Sequence, residues 1–233
     1  MSLSLEKKQE IVRLQLEKRN VPTDIVLAVK MCLDVSGSIH PLFNNGTIQE
    51  LVNRLIPVAM RFDDNQSLEA YAFGSDVCEV EPITPDDFDS YVNHKFIPQV
   101  PSNILWSGTH YSKALKKIHG DVKGNAPGFI RSLFGAKTKD TEPSYLMFIT
   151  DGEDQGNSAE ADQLVHMLGN ENMYIQLIGV GNADFSLLRV LANKHDHVGF
   201  VTFPNLNKTT DEQMYETLLN DDLCNWVKSQ SSN

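Results

Sequence analysis

The stretch IVLAVKMCLDVSGS, Ile25 to Ser38, decides how the chain is read. From Ile25 to Leu33 it is almost continuously apolar, rich in branched side chains, and broken only by Lys30 and by alanine. Strands covered on both faces have this composition, whereas a strand with one wet face alternates. Lys30 is expected at a solvated position near the strand's beginning, with its stem along apolar surface. The run ends at Asp34, and Ser36 and Ser38 follow at alternate positions around Gly37. A carboxylate and two hydroxyls therefore emerge together where a buried strand stops.

Outward from this stretch, helical and strand patterns alternate. Before it, Leu5 to Lys18 carries a loose apolar stripe among charges and is stopped at Asn20-Val21-Pro22. After it, Thr47 to Phe62 has a helical period, and Leu68–Phe73 and Val77–Val80 are short strand candidates. Pro85 to Val92 is predicted as a short helix and Tyr111 to Ile118 as a longer one. Gly120 to Pro143 is rich in glycine, proline and basic residues around the apolar patch Phe129–Phe134, and is expected to be a mobile insertion whose patch folds back on the domain. Tyr145 to Thr150 is a second buried strand, ending at Asp151-Gly152. A helix from Ser158, as its cap, to Gly169 comes next. Strands at Met173–Val180 and Val198–Phe203 flank a helix at Phe185–His195, and one last helix spans about Thr210 to Val227. Such alternation implies an α/β sandwich with a mostly parallel sheet. In sheets of that kind ligands bind beyond the carboxyl ends of the strands, where both Asp34 and Asp151 lie.

Composition narrows the function classes. The 233 residues suit one domain, here taken as residues 23–229 preceded by a helix within 1–22. A net charge of -11 without a concentrated basic patch argues against nucleic acid. The three cysteines, Cys32, Cys78 and Cys224, have no CxxC spacing and suggest a reducing compartment rather than a disulfide framework. Neither a signal-peptide pattern nor an apolar stretch of spanning length is present, so a cytoplasmic location is expected and the three glycosylation-like triplets are read as chance. His195-Asp196-His197 is read as a solvated helix terminus.

Several chemistries can be tested on Asp34 to Ser38. An aspartyl phosphatase of the haloacid-dehalogenase type needs a second carboxylate two residues after the nucleophile, and Ser36 stands there. Neither G-x-G-x-x-G nor a P-loop lysine follows the first strand. A serine hydrolase would pair Ser36 or Ser38 with a histidine, but there is no G-x-S-x-G elbow. Asp151 to Gly156 imitates a calcium loop, yet Asp162 replaces its twelfth-position glutamate and a strand, not a helix, precedes it. A cation cradle fits best. Ser36, Ser38 and, from a separate loop, Thr109 offer hydroxyls, while Asp34 and Asp151 add negative charge; hard divalent cations favour such oxygens.

Asp34-x-Ser36-x-Ser38, then Thr109, then Asp151-Gly152 resembles the metal-ion-dependent adhesion site of von Willebrand factor A-type (vWA) domains. The segments LDVSGSI, SGTHYSKAL, FITDGED and IQLIGVGNADFSLL look like the tellurium-resistance, or stress-response, branch of that family. The resemblance implies a Rossmann-like three-layer sandwich on about six strands, the short third one antiparallel. It also implies that Ser36, Ser38 and Thr109 bind a divalent cation directly, with Asp34 and Asp151 acting directly or through water. Magnesium is the first expectation, with manganese or calcium as alternatives. The function that follows is non-catalytic capture of a protein partner's acidic side chain through the cation. The alternatives are a metal-dependent hydrolase using His40, His110 or Glu153 as base, and a scaffold whose site stays empty.

Overall fold

The computed structural model describes residues 4–124 and 143–230. Six strands form one sheet: β1 (Ala28–Asp34), β2 (Leu68–Phe73), β3 (Val77–Ile83), β4 (Ser144–Thr150), β5 (Met173–Val180) and β6 (Val198–Phe203), in the order β3-β2-β1-β4-β5-β6. All neighbours are parallel except β2 and β3, which form an antiparallel pair at one edge. The central strands β1, β4 and β5 are buried along almost their whole length, as their unbroken apolar runs require.

Among the described residues eight helices complete the sandwich: α1 (Leu5–Lys18), α2 (His40–Asn44), α3 (Thr47–Phe62), α4 (Tyr111–Val122), α5 (Ser158–Asn170), α6 (Ser186–Lys194), α7 (Asp211–Leu218) and α8 (Asp221–Ser229), besides short turns. One face of the sheet, through residues such as Met31, Met147 and Ile178, packs on α1, α3, α7 and α8. The other, through Cys32, Phe148 and Ile175, packs on α4, α5 and α6. Successive strand residues thus serve opposite cores, which is the period-2 rule in a sheet with no wet face. This is the Rossmann-like three-layer α/β/α arrangement expected.

Five local expectations are corrected. Lys30 is not solvated: it is 4% exposed and ion-pairs with Glu69 on the adjacent strand, a partner that makes burial of its charge tolerable. The strand begins at Ala28 rather than Ile25. Asn157, not Ser158, caps α5, its side chain accepting from the backbone N–H groups of Ala159 and Glu160. The single closing helix is two, because Asn220 starts α8 afresh by accepting from the Leu223 N–H at 3.0 Å. Pro85–Asp87 is only one 3₁₀ turn, with a π-helical turn at Val92–Phe96 after it.

His195 also departs from its solvated reading. It is 9% exposed, and its Nε2 lies 2.8 Å from Asp162 Oδ1. α4 continues to Val122 and takes in Gly120, so the expected insertion narrows from its start. The Phe129–Phe134 patch lies outside the described residues. α2 was not anticipated, since it is only five residues long, contains Pro41 and buries a single side chain, Phe43.

α1 is held to the body by a buried charge cluster. Lys8, with no exposed surface, donates to Asp211 Oδ1 at 3.0 Å and Glu50 Oε1 at 3.3 Å. Arg54 Nε lies 2.8 Å from Glu50 and 2.9 Å from Asp211, and its Nη1 donates to the Thr209 carbonyl at 2.9 Å. Two cations and two carboxylates therefore lock α1, α3 and α7 together.

Candidate metal centre

β1 and β4 are parallel neighbours, with Leu33 opposite Ile149, so Asp34 and Thr150 end side by side. Both point to the face packed by α4. Asp34 has no exposed surface. Its Oδ1 accepts from the Ser36 N–H at 2.7 Å, which draws the loop back over the strand end, and its Oδ2 accepts from the Thr150 hydroxyl at 2.5 Å. Beyond this anchor the hydroxyls follow in a chain. Ser36 Oγ lies 3.1 Å from Ser38 Oγ, and Ser38 donates to Asp151 Oδ1 at 2.8 Å. Four of the five residues singled out by the sequence are thus joined in one network.

Thr109 arrives on the loop before α4. That loop is laid against the first one by a bridge between Ser36 and Ser107, and the Gly37 N–H donates to the Ser107 carbonyl at 2.9 Å. Thr109 itself is 3% exposed, and its carbonyl accepts from the Gln155 N–H at 2.8 Å, tying it to the loop that carries Asp151. Gly74 makes the approach possible. A Cβ there would lie 2.5 Å from Ser107 Oγ and 2.6 Å from the Ile104 carbonyl, both fixed neighbours, so no larger residue fits.

Electrostatically the site is one-sided. Burial pushes the Asp34 carboxyl up to about 6, although the hydrogen bonds from Thr150 and Ser36 oppose that shift. Burial likewise raises Asp151, against the pull of the Ser38 hydroxyl. Among the described residues no lysine or arginine offsets either carboxylate. Nor do three His, Cys, Asp or Glu side chains converge there as a metal-ligand group. The donors are instead hydroxyls with two carboxylates, hard oxygens that suit magnesium, manganese or calcium. A cation placed among them would supply the missing positive charge.

Three supporting residues escaped the sequence reading. Thr150 holds Asp34, and Tyr111 donates to the Gly152 carbonyl at 2.5 Å, fixing the Asp151 turn. Asp154 accepts from the Tyr111 N–H at 2.9 Å and so caps α4 from another loop. Thr150 had a faint signal as the last strand residue before Asp151; the other two depend on contacts between distant loops. Of the possible bases, His40 is engaged elsewhere, its Nε2 3.2 Å from Asn44 Nδ2 and its ring against Trp106.

Sheet order, a single antiparallel edge strand and an oxygen cluster at the carboxyl edge define a von Willebrand factor A-type domain. The chain belongs to the vWA-TerF-like family, described as the vWA found in the TerF C terminus, whose model matches residues 26–233. It is 24% identical over 225 residues to uncharacterized protein YcbR of Bacillus subtilis (strain 168), covering 94% of this chain and 84% of that one. Among solved structures it is similar to proximal thread matrix protein 1 from the mussel byssus, determined with a zinc-occupied MIDAS motif. The TM-score is 0.58 and the identity 19%, with 86% of this chain matched. The chain spans about half of that mussel protein, 48%. The manganese-loaded TRAP protein of Plasmodium vivax gives a TM-score of 0.52 at 15% identity, over 80% of this chain and 74% of that one.

Proposed function

We propose that this chain is a metal-dependent binding module rather than an enzyme. Ser36, Ser38 and Thr109, with Asp34 and Asp151, hold a divalent cation, magnesium first, at the carboxyl edge of the sheet. The bound cation reverses the local field and offers a coordination position to an acidic side chain of a protein partner. The observation that carries the reading is the unbalanced charge: buried Asp34 and half-buried Asp151, both raised by burial, beside two mutually bonded hydroxyls, with no basic side chain among the described residues to offset them. The metal-loaded sites of the mussel and Plasmodium proteins support the choice of a divalent cation.

Against hydrolysis stands the pairing of the hydroxyls. Ser36 meets Ser38, and Ser38 meets Asp151, so among the described residues neither serine is paired with a histidine base. A role in a bacterial tellurite, toxic-anion or stress-response system is proposed by analogy with the TerF-like branch alone. The test is thermal unfolding in magnesium and in chelator. The wild type should gain stability with magnesium as ligand linkage requires, and a variant carrying Asp34→Ala and Thr109→Ala should not. An equal magnesium shift in both proteins overturns the assignment.

A further inference from the structure

Beside the metal edge the chain holds an aromatic pair that the cation cradle does not use. Trp106 has φ +58°, a left-handed conformation that is costly for a side chain of its size. It is forced there by the site itself. Its N–H donates to the Val35 carbonyl at 2.7 Å, and the next residue, Ser107, bridges to Ser36. The consequence is a tryptophan whose backbone is tied to the cation-site loop and whose side chain is partly exposed. The His40 ring, also partly exposed and two residues beyond Ser38, packs on it with centroids 4.3 Å apart. Phe43 supports the indole edge-on at 5.2 Å, and Asn44 Nδ2 fixes the imidazole through its Nε2 at 3.2 Å. The ledge is thus aromatic and continuous with the core below it through Phe43. A backbone strain of this kind persists only where neighbouring structure enforces it, and it marks positions whose side-chain placement matters.

The other flank of the edge carries carboxylates as well as apolar groups. Glu153, Asp154 and Asp184, together with Phe185, Leu187 and Leu188, line a hollow of about 280 Å³ there. A partner whose carboxylate enters the coordination position must lay its neighbouring residue on one flank. The carboxylates of that hollow repel a second acid, which leaves the aromatic flank to an uncharged neighbour.

Resting on the metal-dependent reading above, we infer that His40 and Trp106 form a recognition ledge for a large apolar or aromatic side chain adjacent to the partner's metal-bound carboxylate. The motif this site selects is an acid next to an aromatic residue. Specificity then lies in the ledge and the requirement for an acid lies in the cation.

The sequence has two tryptophans, Trp106 and Trp226, and Trp226 packs against Tyr174 on the α8 side. A Trp226→Phe background therefore leaves Trp106 as the sole indole reporter. In saturating magnesium this protein is titrated with blocked dipeptides, N-acetyl and C-amide, of sequence Asp-Phe, Asp-Ala and Asp-Lys. Asp-Phe should bind about 3- to 10-fold tighter than Asp-Ala, the factor one aromatic pair supplies, and should change the Trp106 emission. His40→Ala, and separately Trp106→Gly, which relieves the positive φ, should erase that preference, followed by calorimetry, while leaving Asp-Ala affinity and the magnesium shift in place. If Trp106→Gly unfolds, His40→Ala decides alone. Magnesium-dependent binding with Asp-Phe and Asp-Ala equal, or with Asp-Lys tightest, overturns the ledge and leaves the cation reading standing. No magnesium-dependent binding of any dipeptide overturns both.

Discussion

Two buried charged clusters lie in different layers of this molecule, and their balance differs. Between α1, α3 and α7, Lys8 and Arg54 face Asp211 and Glu50, two positive against two negative. At the carboxyl edge of β1 and β4, the hydrogen bonds of Asp34 and Asp151 among the described residues come from hydroxyls and backbone N–H groups. Both clusters cost desolvation on folding. The first recovers it within the chain, so it is complete as architecture. The second does not, and the deficit of positive charge is what marks it as the candidate site. Burial of charge alone therefore does not separate scaffold from function here; the local sum of charge does.

The largest effect should come from breaking the balanced cluster. Lys8→Met leaves Asp211 and Glu50 with Arg54 as their shared cation and removes the bond from α1. Losing one partner of a buried pair costs about 3–5 kcal/mol, so urea unfolding should show a drop of that size with no change in the magnesium response. A loss under about 1 kcal/mol would mean that the cluster behaves as a surface ion pair and that the comparison fails on its first side.

The same operation at the unbalanced cluster should have the opposite sign. Asp34→Asn keeps the shape and removes a buried charge. With the folded carboxyl at about 6 against an ordinary 3.8, the penalty at neutral pH is on the order of 3 kcal/mol. In chelator at pH 7 the variant should be more stable than the wild type by up to that amount. The pH dependence follows from linkage. Because the folded-state value is raised, the folded protein binds more protons between about pH 4 and 6, so wild-type stability in chelator falls as pH rises through that window and then levels. Asp63, also raised to about 6 by burial at the start of β1, adds to the slope, so the variant should flatten it without abolishing it. An unchanged slope, or a variant less stable than wild type in chelator across the whole range, would show that Asp34 is not carrying uncompensated charge.

The two clusters were also unequally legible. Asp34, Ser36 and Ser38 could be read from sequence because they sit at the end of an apolar run, where strand topology dictates that they face the ligand edge. Asp151 was legible for the same reason at the end of β4. The buried strands β1, β4 and β5 were legible from their unbroken apolar runs. What could not be read rests on contacts between residues far apart in the chain. Lys8 and Asp211 are separated by 203 positions, and nothing local marks either as buried. Lys30 was misjudged because its partner Glu69 belongs to the neighbouring strand. The single closing helix was misjudged for a nearer reason, since the Asn220 cap interrupts a pattern that otherwise keeps its period.

The smallest effect on stability is the sharpest on function. Ser38 is exposed, and its hydroxyl bonds only Ser36 and Asp151, so Ser38→Ala should cost no more than about 1 kcal/mol in chelator. For a chain of this length that is a melting shift of roughly 2–4 °C. If Ser38 helps hold the cation, the same change should weaken magnesium binding by about tenfold or more, since even residues behind the ligands of a metal site contribute that much. Calorimetric titration with magnesium would read the affinity directly. The outcome to watch is the dissociation of the two numbers. A small stability loss with full magnesium affinity would make Ser38 a surface hydroxyl that merely steadies Asp151, and would move the cradle inward to Ser36, Thr109 and the two carboxylates.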